Sequence, residues 1–206
     1  MTKLSKSLLR DMMDEVIISH RNGKPYLKRR PKKVNNPKTE QQTSQRGKFK
    51  AASTFVSRNL NELIRPYWNP EAKRQGMTGQ NLFCKTNTQA FDADGNADFD
   101  KLKLVVGNLD GLADFQIEKK DDNTFCFSWK NKAKGNKAKE ACLLKIFGLD
   151  ELLHAEEIPC IATRKEESFT TKIEIESYTC LYLFFWCEDL ALASEANRLN
   201  FENVVS

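Results

Sequence analysis

Hydrophobic and polar residues recur with different periods along this chain, and each period predicts a different kind of element. Leucines and methionines have helical spacing over residues 2–15, which predicts a short amphipathic helix. From Val16 the period becomes that of a strand. The Asn22-Gly23 pair between two such runs predicts a hairpin with a type I′ turn. Because an isolated hairpin is marginally stable in water, we expect it to dock on the rest of the chain or on another molecule.

A helical pattern returns after a linker between Pro31 and Pro37 that is expected to be extended, because the residue before a proline avoids helical geometry. Thr39 is a plausible N-cap for the first helix, which we expect to end near Asn59. The apolar face of this helix is predicted to carry Phe49, Ala52, Phe55 and Val56.

Two shorter helical runs follow. The first has apolar residues at helical spacing, namely Leu60, Leu63, Ile64 and Tyr67. The Asn69-Pro70 pair is predicted to end it, because proline does not continue a helix. The second run begins at Thr78 or Gly79 and has moderate helical character.

After Phe91 the chain consists of short runs rich in β-branched and aromatic residues, separated by turn-forming clusters. These runs are Leu102–Val106, Phe115–Lys119, Thr124–Trp129, Ala141–Phe147, Phe169–Glu176 and Tyr178–Trp186. Such spacing is typical of an antiparallel sandwich, and the last run is the best candidate for its central buried strand. We therefore predict an α+β fold, in which an N-terminal hairpin, basic arm and helices precede a fibronectin- or immunoglobulin-like β-sandwich. The predicted segments are 1–38, 39–91 and 92–206.

Basic and acidic residues are unevenly distributed along the chain, and this distribution indicates where a partner would bind. Residues 1–58 contain fifteen Lys and Arg but four Asp and Glu, a net charge of +11, whereas residues 59–206 carry −6. From Arg21 to Arg58 there are twelve basic residues and a single acidic one, Glu40. A block this one-sided is typical of an interaction surface or an extended arm. Its partner would be nucleic acid or an acidic protein surface, such as that of a neighbouring subunit.

Several other kinds of protein fit the composition poorly. The charged N-terminus predicts neither a signal peptide nor a membrane span. The two histidines, His20 and His154, have no zinc-ligand spacing to a cysteine, so we expect no metal centre and no cofactor. Six scattered cysteines are expected to remain thiols that pack as small hydrophobes: Cys84, Cys126, Cys142, Cys160, Cys180 and Cys187.

An acidic stretch around Gly95 resembles a calcium loop only superficially. The glycine comes too early for an EF-hand, and no glutamate closes the loop. A polar turn is the favoured interpretation. A different kind of site that uses Asp92, Asp94 and Asp98 stays open as the alternative. No nucleophile motif and no phosphate-binding glycine loop is present, so the sequence does not predict an enzyme.

A series of short motifs runs through the first part of the chain, namely Gly23-Lys24, Tyr26, Arg29-Arg30-Pro31, Asn36-Pro37-Lys38-Thr39, Gln45-Arg46 and Phe49. In these motifs the chain resembles an uncharacterised family of Bacteroidota and of their phages and mobile elements. In the second half, the family's Phe-x-Trp strand, following strand and late Tyr-rich strand are similar to Phe127-Ser128-Trp129, Cys142–Phe147 and Tyr178–Trp186. The first fifteen residues depart from the family's glycine-rich opening. The resemblance implies a fibronectin-like second half and a phage context, but no activity.

From these features we expect a non-enzymatic structural or assembly protein of a phage or prophage particle. It would be found in the virion, or in the host cytoplasm before assembly, with virion subunits or further copies of itself as partners. The residues expected to contact the partner are Lys24, Tyr26, Lys28, Arg29, Arg30, Lys32, Lys33, Lys38 and Arg46. The alternative is an accessory protein that uses the same residues to bind nucleic acid without sequence specificity.

Overall fold

A computed structural model divides the chain into two compact units, residues 1–39 and 40–206. Within them it describes residues 15–21, 23–30, 36–121, 123–131 and 141–199. The helix that we predicted over residues 2–15 lies outside the described residues, except for Glu15, which is helical. Most of the predicted linker between the hairpin and the first long helix, residues 31–35, also lies outside them.

The described part of the first unit is built around an antiparallel hairpin, as predicted. Strand β1 (Val16–Arg21) pairs with β2 (Lys24–Arg29), and Arg21 opposite Lys24 leaves a two-residue turn. Gly23 occupies this turn with a φ of +75°, a conformation that L residues with a Cβ adopt at a cost. Asn22, the other turn residue, is not among the described residues.

The second unit opens with helix α1, Glu40–Arg58, which begins directly after Thr39 and ends just before Asn59, as predicted. Ala52, Phe55 and Val56 are buried on its inner face. Phe49, which we had assigned to that face, is instead 54% exposed.

A π helix, Leu60–Trp68, follows α1 with Pro66 inside it. The π helix ends at Trp68, directly before the predicted stop at Asn69-Pro70, but helix α2 (Asn69–Arg74) starts at that point, which we did not predict. Proline is tolerated in the first turn of a helix, where its missing N–H has no partner to bond. Helix α3 (Gly79–Asn87) begins as predicted, and the hydroxyl of Thr78 accepts a hydrogen bond from the Asn81 N–H at 3.3 Å.

The strands of the second unit form two sheets, and every strand pair in them is antiparallel. The three-stranded sheet has the order β3-β4-β7, with β3 Ala113–Asp121, β4 Thr124–Lys130 and β7 Ser168–Lys172. The five-stranded sheet has the order β10-β8-β5-β6, and β9 also pairs with β8. Its strands are β5 Leu143–Leu149, β6 Ala155–Ile158, β8 Cys180–Cys187, β9 Leu192–Ala193 and β10 Asn197–Leu199.

Strand β8 holds the layers of this unit together, because it is buried on both faces. Leu181, Leu183 and Phe185 share a core with β4 of the other sheet. The alternate residues Tyr182 and Phe184 share a second core with the buried faces of the helices. The predicted α+β class with a sandwich of antiparallel sheets and a central buried strand is confirmed. Helical and strand residues that we had placed in separate segments contribute to the same core.

The predicted strand Leu102–Val106 does not form: Leu102, Leu104 and Val105 are buried, but the run pairs with no strand in the described part of the chain. Side chains bond several of its backbone groups instead. The Trp68 indole N–H donates to the Leu104 carbonyl at 2.8 Å. Asn87 bonds both the N–H and the carbonyl of Lys103, at 2.8 and 3.0 Å. The run Phe169–Glu176 is also shorter than predicted, since β7 ends at Lys172.

Candidate interaction surface

The hairpin presents two different faces because successive side chains of a strand point to opposite sides. One face of β2 carries Lys24, Tyr26 and Lys28, so a phenol ring lies between two ammonium groups. The other face carries Leu27 and Arg29. All of these side chains are exposed, which leaves their charged and aromatic groups available to a partner.

The apolar pair on the second face was not anticipated. Ile18 of β1 lies directly opposite Leu27 of β2. The two side chains are 68% and 71% exposed, the highest values for large apolar residues in the described part of the hairpin. Alternation alone could have placed both residues on one face. It could not have shown that this face is uncovered, since an ordinary hairpin buries it.

Two contacts of Glu15, one with Arg30 and one with Arg29, join the open end of the hairpin. The Arg30 N–H donates to the Glu15 carbonyl at 2.6 Å. The Arg29 guanidinium lies 3.6 Å from the Glu15 carboxylate, and both side chains are largely exposed. An exposed ion pair of this kind contributes about 0–1 kcal/mol. The pair offsets one of the five basic charges between Arg21 and Arg30.

The structure places the predicted contact residues in different parts of the chain. Five of them share the hairpin and its end: Lys24, Tyr26, Lys28, Arg29 and Arg30. Lys32 and Lys33 lie outside the described residues. Lys38, with a φ of +50°, belongs to the same compact unit as the hairpin, whereas Arg46 lies on helix α1 of the larger unit. Both side chains are exposed.

The acidic stretch forms a tight turn that is closed by its own first carboxylate. Asp92 Oδ1 accepts the backbone N–H groups of Asp94, Gly95 and Asn96 at 2.8–2.9 Å, and its Oδ2 accepts the Asn96 side chain. These bonds, that of the Asn96 side chain first, hold the pKa of Asp92 below its usual range. Asp98 pairs with Lys101 at 2.6 Å. Across the described residues, no group of acidic, histidine or cysteine side chains has the arrangement of a metal site.

The cysteines and histidines differ in how accessible they are. All six cysteines are described, and none is joined in a disulfide. Burial raises the pKa of Cys142, Cys160 and Cys180 to about 11, so these thiols are protonated at neutral pH and react slowly. The His20 and His154 side chains are exposed, and the backbone N–H of His154 donates to the Asp150 carboxylate at 2.7 Å.

None of the helices in the described ranges is long and apolar enough to cross a membrane. Helix α1 is the longest of them, and it buries only part of one face. The candidate interaction surface is the basic hairpin, where Ile18 and Leu27 lie opposite each other and are both largely exposed.

Comparison with known proteins gives one informative result. No curated protein and no solved structure matches the chain. A model of a family of unknown function, DUF6266, matches residues 9–174, which include the hairpin, the helices and most of the strands. The match covers far more than half of the 206 residues. The chain therefore belongs to the family of unknown function DUF6266.

Proposed function

We propose that this protein is a non-enzymatic structural or assembly protein of a phage or prophage particle, whose N-terminal hairpin and basic arm bind a neighbouring subunit. The phage context rests on the resemblance of the Arg-Pro and Asn-Pro-x-Thr motifs to proteins of Bacteroidota and their phages. The binding role rests on the hairpin itself.

The exposed apolar pair of the hairpin carries the proposal. Ile18 and Leu27 lie side by side on one face and are about seven-tenths exposed. Burying two such side chains contributes roughly 1.5–3 kcal/mol each. A two-stranded ribbon needs stabilisation of this kind, because its own contacts leave it marginal. A second protein surface would provide it.

The distribution of charge supports another copy of this protein as the partner. Residues 1–58 carry a net charge of +11 and residues 59–206 a net charge of −6, so the arm of one copy attracts the body of another. Complementary charge of this sort speeds encounter and selects the partner, while apolar contacts supply affinity. Arg29, on the same face of β2 as Leu27, is one charged member of such a polar rim.

Removing four positive charges from the end of the hairpin and the basic arm that follows it tests this proposal. In a variant with Arg29, Arg30, Lys32 and Lys33 all changed to Gln, we expect self-association to weaken at least about tenfold, because the long-range attraction is lost. Mass is measured by light scattering over a range of protein concentrations. The matched control removes the same charge from exposed lysines of the second unit, Lys73, Lys85, Lys119 and Lys165. Equal weakening in both variants would show a general charge effect and would refute the arm contact.

A second candidate function, binding of nucleic acid without sequence specificity, is favoured by the spacing of side chains on β2. Lys24, Tyr26 and Lys28 share a face, and residues two apart on a strand lie about 7 Å from one another. Lysines flanking an aromatic ring suit a single nucleic-acid strand, with phosphates on the lysines and a base stacked on the ring. If this is the function, the fourfold arm variant loses retention on DNA while its oligomeric state stays unchanged.

A further inference from the structure

We infer that the open edge of strand β1 pairs, antiparallel, with the same edge of a second copy, joining two hairpins into one four-stranded sheet. This inference rests on the proposed function, because it specifies how the hairpin meets the hairpin of the neighbouring subunit, while the attraction between the basic arm and that subunit's acidic body is a separate part of the same assembly. Among the described residues, β1 pairs with β2 alone. Its other edge therefore offers a row of backbone donors and acceptors.

The hydrogen bonds of the hairpin fix which backbone groups face that edge. The Arg30 N–H bonds the Glu15 carbonyl, so this pair is of the hydrogen-bonded type. In an antiparallel ladder such pairs alternate with pairs that exchange no hydrogen bonds. Val16, Ile18 and His20 fall in the second class, and their N–H and C=O groups point away from β2.

These three residues are self-complementary in an antiparallel register centred on Ile18. Ile18 of one copy then lies opposite Ile18 of the other. Val16 of each copy lies opposite His20 of the other copy. Each of these pairs is of the hydrogen-bonded type, so every outward N–H and C=O of the three residues finds a partner. A two-fold axis through the centre of the contact relates the two copies, as in most homodimers.

The same register covers the exposed apolar pair. Side chains that lie directly opposite each other share one face of a sheet. Ile18 and Leu27 are such a pair within the hairpin. Joining two copies produces a row of four apolar side chains in the order Leu27, Ile18, Ile18, Leu27. Ile18, now 68% exposed, would lie between two apolar neighbours.

Charge and chemistry select β1 rather than β2 as the joined edge. Val16 to His20 contains no Lys, Arg, Asp or Glu, and its β-branched residues favour pairing. The outward positions of β2 include Pro25, which has no N–H to donate, and Arg29. With β1 at the centre, the two basic β2 strands are about 14 Å apart, beyond the Debye length of about 8 Å at physiological salt.

Proline substitution at the open edge of β1 tests the inference. Ile18→Pro removes an outward N–H of β1 but no hydrogen bond within the hairpin, whereas the control Ile18→Val keeps that N–H and a β-branched apolar side chain. Both variants are made in the full chain, and their masses are followed over protein concentration by light scattering. We expect Ile18→Pro to raise the dimer dissociation constant at least about tenfold, since the symmetric contact loses two hydrogen bonds. Ile18→Val is expected to raise it clearly less than Ile18→Pro does, because both hydrogen bonds of the symmetric contact remain.

A cross-linking measurement keeps the test valid if a proline disturbs the hairpin. Under mild oxidation Ile18→Cys is expected to give covalent dimers, because the paired Cα atoms lie about 5.5 Å apart. Leu27→Cys and the parent chain are expected to give few. An unchanged dissociation constant for Ile18→Pro together with no Ile18→Cys dimer would overturn the inference. If such variants still self-associate, the proposed function survives; a parent chain that is monomeric throughout would defeat both.

Discussion

Replacing Trp68 by alanine is expected to lower the free energy of unfolding by about 4–7 kcal/mol, a large part of what holds a domain of this size together. The side chain is fully buried, and its ring packs edge-on against Phe83 with 5.0 Å between ring centroids. Truncation leaves a cavity at this contact. It also removes the indole N–H that serves the Leu104 carbonyl at 2.8 Å. Because that carbonyl belongs to a buried segment without strand pairing, no backbone donor replaces the lost bond.

Trp68→Phe separates the contribution of ring packing from that of the hydrogen bond to the Leu104 carbonyl. Phenylalanine retains an aromatic ring beside Phe83 but cannot donate to Leu104, so we expect a smaller loss of about 1–3 kcal/mol. Both variants are compared with the parent chain by chemical denaturation. If Trp68→Ala were no more destabilising than Trp68→Phe, the ring would contribute little to packing, and the described core around Phe83 would be wrong.

Gly107→Ala is expected to be the most damaging small substitution, costing at least about 3 kcal/mol. A Cβ at Gly107 would lie 1.9 Å from the carbonyl oxygen of Ala193, a backbone atom that cannot rotate away. Ala193 ends strand β9, and its carbonyl accepts the Leu109 N–H at 3.0 Å. Relieving the clash therefore moves β9 or breaks this hydrogen bond.

Gly111→Ala provides the matched control for this prediction. The nearest atom to a Cβ at Gly111 is Asn197 Oδ1 at 3.9 Å, an ordinary contact. We expect its free energy of unfolding to change by less than about 0.5 kcal/mol. Denaturation midpoints of the two variants that coincide would contradict the close approach of Gly107 to Ala193.

The parts of the fold that sequence predicted well are those where local chemistry and packing agree. Helix α3 follows a threonine that caps it, and α1 follows a clear helical spacing. Strand β8 was recognisable because its uninterrupted apolar run suits a strand buried on both faces. In each case one short segment contains most of the information that decides its structure.

The errors arose where distant residues decide the local structure. Leu102–Val106 has strand-like composition, yet the side chains of Trp68 and Asn87 bond several of its backbone groups. Strands β6 and β9 have four and two residues, too few for an alternating pattern to be recognised. The helix that starts at Asn69 was missed because Pro70 was interpreted only as a stop.

For the candidate site, sequence identified the charges but not the apolar pair. Lys24, Lys28, Arg29 and Arg30 stand out in composition, and the structure places them together on the hairpin and its end. The exposure of Ile18 and Leu27 depends on what covers the hairpin, which is a tertiary property. The direction of the backbone groups of β1 likewise depends on the observed register of the strands.

The mass of the full chain in solution tests the central claim most directly. Light scattering is carried out at low and at high salt, with and without duplex DNA. We expect a defined oligomer without DNA, because the hairpin binds a neighbouring subunit, with partial weakening at high salt as charges are screened. A chain that stays monomeric alone, gains mass only when DNA is added and releases it at high salt would contradict the assembly function and establish nucleic-acid binding instead.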